Sequence, residues 1–315
     1  MKVCAFGIGI LFLTIVRPLS SQTISPLTLA DPALDRMHAI GRPVETIDVH
    51  VHEVNLVLSV TDHHGKFVNN LRPSDLRILD NGVEQTKLTF FQRETDLPVK
   101  VALVIDVSAS VAYQLPTECD ALRAFLKEVS SPLDSVMLFA FNQSVQLTSP
   151  VTNNWNVIAR LLKDLPPRGE TALYDAVSEA SHWLALDNGP VRRIIILVSD
   201  GEDNKSTSTR DATISDALNA DAAIYSVHVR SGDEGDEGRR GATILKQLAN
   251  ATGGTYLDYK YDTIARAFDE IRRELRSQYA LAYKLSNPGI RTFHHLQVLE
   301  AKRRKVRCRS GYYVR

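Results

Sequence analysis

The segment Val99 to Ser110, VKVALVIDVSAS, constrains the fold more than any other stretch. Between Val99 and Ile105 only Lys100 is polar, so the segment has no wet side and reads as a strand buried on both faces. Such a strand needs helices on both sides of its sheet. It runs straight into Asp106, Ser108 and Ser110. Alternate residues of an extended segment point the same way, so one carboxylate and two hydroxyls are aimed at a common point. These are hard oxygen donors, suited to Mg²⁺ or Mn²⁺ rather than to zinc.

The residues around this strand alternate between strand and helix. Helices are expected over Leu115–Val129, Trp155–Leu162, Ala172–Leu186, Asp211–Ala220, Gly241–Ala251 and Ile264–Arg276. Strands are expected over Ser135–Phe141, Val145–Leu147, Ala223–Val229 and Thr255–Leu257. Arg193 to Ser199 contains RIIILVS, a second strand with no wet face. Repeated alternation predicts an α/β domain with a doubly wound, mostly parallel sheet over residues 96–285. Ligands of such sheets bind outside the carboxyl ends of the strands, and Asp106 stands at one.

The flanks are β. Residues 44–95 carry period-two runs (Ile47, Val49, Val51, then Val54, Leu56, Leu58, Val60) with a phase switch near Glu53 that predicts a bulge or a bend in a long strand. Asp62-His63-His64-Gly65 and Asp80-Asn81-Gly82 are turn signals, the second joining strands Leu76–Leu79 and Val83–Phe91. After the α/β domain come strands at Tyr279–Leu285, His294–Ala301 and Lys305–Cys308. The C-terminal segment 286–315 is expected to complete a small sandwich-like β domain with residues 44–95, so that the α/β domain is an insertion in it.

Hydrophobic residues make up 44% of the 315, and 37 basic residues balance 37 acidic ones. No net field favours nucleic acid or an anionic membrane. The basic run Lys302 to Arg309 reads as a solvated strand face. Residues 1–21 read as a signal peptide: Lys2, an apolar run Val3 to Val16 too short to span a bilayer, and Ser20-Ser21 before Gln22. Arg17 leaves an uncleaved anchor open. The expected protein is exported, bacterial, and periplasmic or secreted, with a Pro-rich linker over 22–43. Cys119 and Cys308 remain after the signal, without a CxxC, and are read as free thiols.

Two further strand or helix ends carry hard oxygen donors. ILVSDGEDN puts Asp200 at the end of the second buried strand, and RGETALYDAV puts Thr171 at a helix start. Asp106, Ser108, Ser110, Thr171 and Asp200 would converge on one crevice. Together they match the metal-ion-dependent adhesion site of von Willebrand factor A domains: DxSxS at Asp106 to Ser110, the threonine in GETALYDA, the aspartate in SDGE. LKQLANATGGTYLD (Leu245 to Asp258) also resembles that family. The flanks VTDHHGKFVNNLRPSDLRILDNGVEQ and RCRSGYYVR resemble exported bacterial von Willebrand A-related proteins of the acidobacterial type. Val111 departs from the methionine common after the second serine, at a position with no required ligand.

The resemblance implies Mg²⁺ or Mn²⁺ held by Ser108 and Ser110 directly. Thr171 and Asp200 would bind directly or through water, and Asp106 mainly through water. The last coordination place would go to an acidic side chain of a protein partner. The implied function is adhesion or protein–protein interaction, without catalysis. Two alternatives stand beside it: a structural adaptor whose metal only braces loops, and a metal-dependent hydrolase. His50 and His52 share a strand face but lack a third ligand. His63-His64 and His294-His295 read as turn and strand-edge residues. Ser231 to Gly241 has the carboxylates and glycines of a calcium loop without its ligand spacing and reads as an exposed flexible loop. Glu202-Asp203-Asn204 reads as a solvated loop before a helix, in preference to an extension of the metal crevice.

Overall fold

The computed structural model describes residues 53–93, 97–129, 134–186, 189, 191–229, 235–258, 264–285, 292–302 and 304–314. The expected signal, the linker, and the first part of the N-terminal strand with His50 and His52 lie outside them.

Six strands form the central sheet: β5 (Val99–Asp106), β6 (Ser135–Phe141), β7 (Val145–Thr152), β8 (Arg192–Ser199), β9 (Ala222–His228) and β10 (Tyr256–Asp258). Their order is β10-β9-β8-β5-β6-β7, parallel except for β7, which returns antiparallel on β6. All eight residues of β5 are buried, as a run without a polar face requires. Its side chains alternate between two cores. Val99, Val101, Leu103 and Ile105 pack with α1 (Leu115–Val129), α2 (Trp155–Leu161) and α6 (Ile264–Leu275). Ala102 and Val104 pack with α3 (Leu173–Ala185), α4 (Arg210–Asn219) and α5 (Asp236–Thr252). Helix α6 illustrates the local rule: Ile264, Ala267, Phe268, Ile271 and Leu275 recur at helical spacing, and all are buried.

The chain enters the sheet at β5, runs outward through β6 and β7, then crosses back to β8 on the other side of β5. The sheet therefore reverses between β5 and β8. This is where doubly wound sheets open a crevice at their carboxyl ends.

The flanking segments form two antiparallel four-stranded sheets. One has the order β13-β1-β11-β4, the other β14-β12-β2-β3. The strands are β1 (Glu53–Thr61), β2 (Leu76–Asp80), β3 (Val83–Gln85), β4 (Leu88–Arg93), β11 (Tyr279–Lys284), β12 (Phe293–Glu300), β13 (Lys305–Cys308) and β14 (Gly311–Tyr313). Val54, Leu56, Leu58 and Val60 face their shared core with Ile78, Tyr279, Leu281, Tyr283 and Val298. Each sheet mixes strands from before and after the α/β domain, which is thus inserted into the β unit. Asn81 and Gly82 have φ of 48° and 81°, the geometry of a tight two-residue hairpin turn.

Strand β11, expected with the β tail, pairs with β1 and β4. Three sequence expectations change. Val83 to Phe91 is two strands: β3 stays on β2 while β4 crosses to β11 in the other sheet. Helix α5 starts at Asp236, so the end of the supposed flexible loop is helical. Gly241 lets α5 press against the turn after β8: a Cβ there would lie 2.2 Å from the Asp200 carbonyl oxygen. His294 is buried on an inner strand, not at an edge. Its Nδ1 is 2.6 Å from Asp80 Oδ1, and Asp80 Oδ2 accepts the hydroxyls of Tyr283 (2.7 Å) and Tyr312 (2.6 Å).

The basic run is engaged inside the fold. Arg304 pairs with buried Glu300, Arg307 with buried Glu274, and Arg309 with Asp221. Glu274, on α6, also accepts hydroxyls from Ser59 of β1 (2.8 Å) and Thr255 (2.6 Å), which ties the insertion to the β unit. Cys119 and Cys308 are free thiols, Cys119 buried and Cys308 partly so.

Candidate metal centre

Asp106 is the last residue of β5, and Asp200 follows the last residue of β8, the neighbouring parallel strand. Both carboxylates are buried, at 1% and 4% exposure, and so is Ser108 at 1%. The loop after β5 folds back on itself because Asp106 Oδ1 accepts the Ser108 amide at 2.8 Å. That turn brings Ser108 Oγ to 3.1 Å from Ser110 Oγ, and Ser110 Oγ donates to Asp200 Oδ2 at 2.5 Å. Four of the five expected residues therefore form one hydrogen-bonded chain of oxygens across the seam between β5 and β8.

Thr171, 1% exposed, is the fifth. Its loop is docked on the loop after β5: Arg168 N–H donates to Val107 O at 2.7 Å and Ala109 N–H to Gly169 O at 3.0 Å. The other side of Thr171 is held by Asn204, whose Oδ1 accepts the Thr171 amide at 2.9 Å. The amides of Asn204 and Lys205 both donate to Thr171 O at 3.0 Å. Asp203 Oδ1 accepts the amide of Tyr174 at the start of α3. Asp203 and Asn204 thus brace the threonine loop and α3, where the sequence favoured a solvated loop over an extension of the metal crevice. The asparagine after SDG was the available signal, since its side chain readily caps nearby backbone.

Two residues of the site escaped the sequence. Ser199, fully buried, donates to Asp106 Oδ2 at 2.6 Å and accepts the Gly201 amide at 3.0 Å. Glu118 on α1 is 1% exposed, and its Oε1 is buried without a hydrogen-bond partner. Ser199 ends an apolar run and looks like an ordinary strand residue, and Glu118, between Thr117 and Cys119, looks like an ordinary acid in the first turn of a helix.

The electrostatics are those of crowded acids. Burial, with Asp200 beside it, pushes the Asp106 carboxyl up to about 7. Burial, with Asp106 and Asp200 nearby, pushes Glu118 up to about 8. Burial and the Asp200 charge also raise Glu202. The hydrogen-bond partners of the Asp106 and Asp200 carboxylates are hydroxyls and backbone amides, with no cation in contact. Such acids call for a positive charge, and the donors are all hard oxygens, so the residues fit Mg²⁺ or Mn²⁺. Among the described residues no three His, Cys, Asp or Glu side chains come together as a cage for an ion. Hydroxyls and water would therefore complete the coordination. A cavity of about 640 Å³ lies elsewhere, lined by residues such as Leu56, Arg192, Ala222, Leu281 and Arg309 at the amino ends of β8 and β9.

Residues 101–202 match the von Willebrand factor type A domain. The match runs from the third residue of β5 to just past Asp200, and so takes in all five site residues. No curated protein matches the chain. Among solved structures, a von Willebrand factor type A protein from Catenulispora acidiphila is 11% identical. The alignment covers 84% of this chain and 73% of that one, with a TM-score of 0.51. The vWF domain of the type V pili tip protein Mfa5 from Porphyromonas gingivalis is 15% identical over 56% of this chain and 94% of that one, TM-score 0.48. The pilus adhesin SpaC from Lactobacillus rhamnosus GG, in an open conformation, is 11% identical over 81% and 49%, TM-score 0.49. At these identities the likeness concerns the fold of the A domain.

Proposed function

We propose that the A domain holds Mg²⁺ or Mn²⁺ on Ser108, Ser110, Thr171, Asp200 and Asp106, and uses it to capture an acidic side chain of another protein. The observation that carries this is the chain of oxygens from Asp106 through Ser108 and Ser110 to Asp200 at the switch point of the sheet. Two of the four groups are neutral hydroxyls, so an ion bound there keeps affinity for a further carboxylate. The rim offers anchors for a partner: Arg168 is exposed on the loop before Thr171, Lys205 on the loop beyond it pairs with Glu170 at 3.0 Å, and Tyr113 is 80% exposed beyond Ser110. Aromatic and arginine side chains are the usual anchors of protein interfaces.

The protein is proposed as a binder and not as an enzyme, because the hydrogen-bond partners on the two carboxylates are serine hydroxyls and backbone amides, a donor set that suits holding an ion, with no His or Lys base among them. Export through the N-terminal signal belongs to the same proposal. Among the described residues no helix is long and apolar enough to cross a membrane.

The test is calorimetric titration of Mg²⁺ and Mn²⁺ into metal-stripped protein, with Asp106→Ala as control. Saturable binding that disappears in the variant is expected. Equal heats from both proteins would overturn the reading.

A further inference from the structure

The A domain buries two acids outside the five-residue pattern: Glu274, which is paired with Arg307, and Glu118, which no cation pairs among the described residues. Glu118 lies in the first turn of α1, directly after the loop that carries Ser108 and Ser110. Leu115 N–H donates to Val111 O and Glu118 N–H to Gln114 O, so the loop winds straight into the helix. The residue is 1% exposed, and its Oε1 is buried without a hydrogen-bond partner. An ionised carboxylate in that position is among the costlier groups a core can hold unless something positive faces it. The charges that act on Glu118 are those of Asp106 and Asp200, both of its own sign.

We propose that Glu118 is a third carboxylate of the metal centre, which orients a water bound to the ion and balances part of the ion's charge. The proposal rests on the ion-binding reading above. Direct ligation does not fit, because no three acidic or histidine side chains come together as a cage among the described residues. A water on the ion would give Oε1 the donor it lacks. Mg²⁺ ordinarily keeps several waters, and outer partners of metal ligands commonly govern affinity tenfold or more. Glu118 is thus a positioning residue: it favours retention of the ion before any partner arrives.

The experiment uses the full chain, Glu118→Gln, and Mn²⁺ as the probe. Glutamine keeps the size and one carbonyl acceptor but removes the charge. Calorimetry is expected to give roughly tenfold weaker Mn²⁺ binding in the variant. Thermal melting of the metal-stripped proteins is the second readout. The variant is expected to melt at the same temperature as wild type or higher, since like-charge repulsion has been removed. Unchanged Mn²⁺ affinity in Glu118→Gln, with wild type binding normally, would overturn the role of Glu118 and leave the ion site standing. A stripped variant that melts lower, or fails to fold, also overturns it, because the carboxylate would then be satisfied by the protein itself. If wild type and Asp106→Ala both ignore Mn²⁺, the ion reading fails and this inference with it.

Discussion

Ser199 donates its hydroxyl to Asp106 Oδ2 at 2.6 Å across the seam between β8 and β5. The same oxygen accepts the Gly201 amide, so one buried serine fixes both the carboxylate of one strand and the turn that carries Asp200 on the next. Ser199→Ala removes both bonds without opening space for water. Expected are a loss of about 1–3 kcal/mol in stability and roughly tenfold weaker Mn²⁺ binding. Urea unfolding and calorimetry read the two effects separately. Wild-type ion affinity in this variant would mean that Asp106 needs no such support.

The acids make stability depend on pH. In the metal-free protein Asp106 is raised from 3.8 to about 7 and Glu118 from 4.5 to about 8. Between the unfolded and folded values the native state holds protons that the unfolded chain has released. Stability therefore falls as pH rises from about 4 to about 8 and levels off above. Melting in chelator should give a higher midpoint at pH 5.5 than at pH 8, and Mg²⁺ should raise the midpoint more at pH 8 than at pH 5.5. A midpoint independent of pH over that range, in chelator, would contradict this.

Gly241 of α5 and the turn at Asp200 touch backbone to backbone. A Cβ on Gly241 would meet Asp200 O at 2.2 Å, and one on Gly201, where φ is +83°, would meet Gly241 O at 2.4 Å. Gly241→Ala is expected to cost about 1–3 kcal/mol by overpacking. It should also weaken ion binding by displacing Asp200, although residue 241 offers no ligand. Differential scanning calorimetry with and without Mn²⁺ checks both parts.

The β unit has its own polar centre. Asp80, 3% exposed, serves Tyr283, Tyr312 and His294 from strands on both sheets. Asp80→Ala strands three buried donors and is expected to destabilise the protein by about 3–5 kcal/mol. The metal centre lies on other elements, so Mn²⁺ affinity of the folded fraction should be unchanged. A variant that unfolds like wild type in urea would show the cluster to be incidental.

Much of this was legible in the sequence because hydrophobic period is a local property. Val99–Ile105 and Arg193–Ser199 lack a polar face, and the structure buries both at the centre of the sheet. Asp106, Ser108, Ser110 and Asp200 were legible for a related reason: each sits just past such a strand, and strand ends point to the same edge of a parallel sheet. Pairing across the fold was not. His294 has the same alternating neighbours as an exposed strand histidine, and only the placement of β12 beside β2 gives it Asp80. Arg307 and Arg309 look like solvated cations until β13 and β14 return to Glu274 and Asp221.

The sequence by itself determined the alternation of strands and helices and the donor types at the strand ends, since both follow from residues close together in the chain. Only the tertiary structure decided that Ser199 holds Asp106 and that Glu118 is buried within the field of two other acids. Those relationships depend on which strands become neighbours and on how deeply a helix packs, and burial changes the energy of a charge far more than any local preference does.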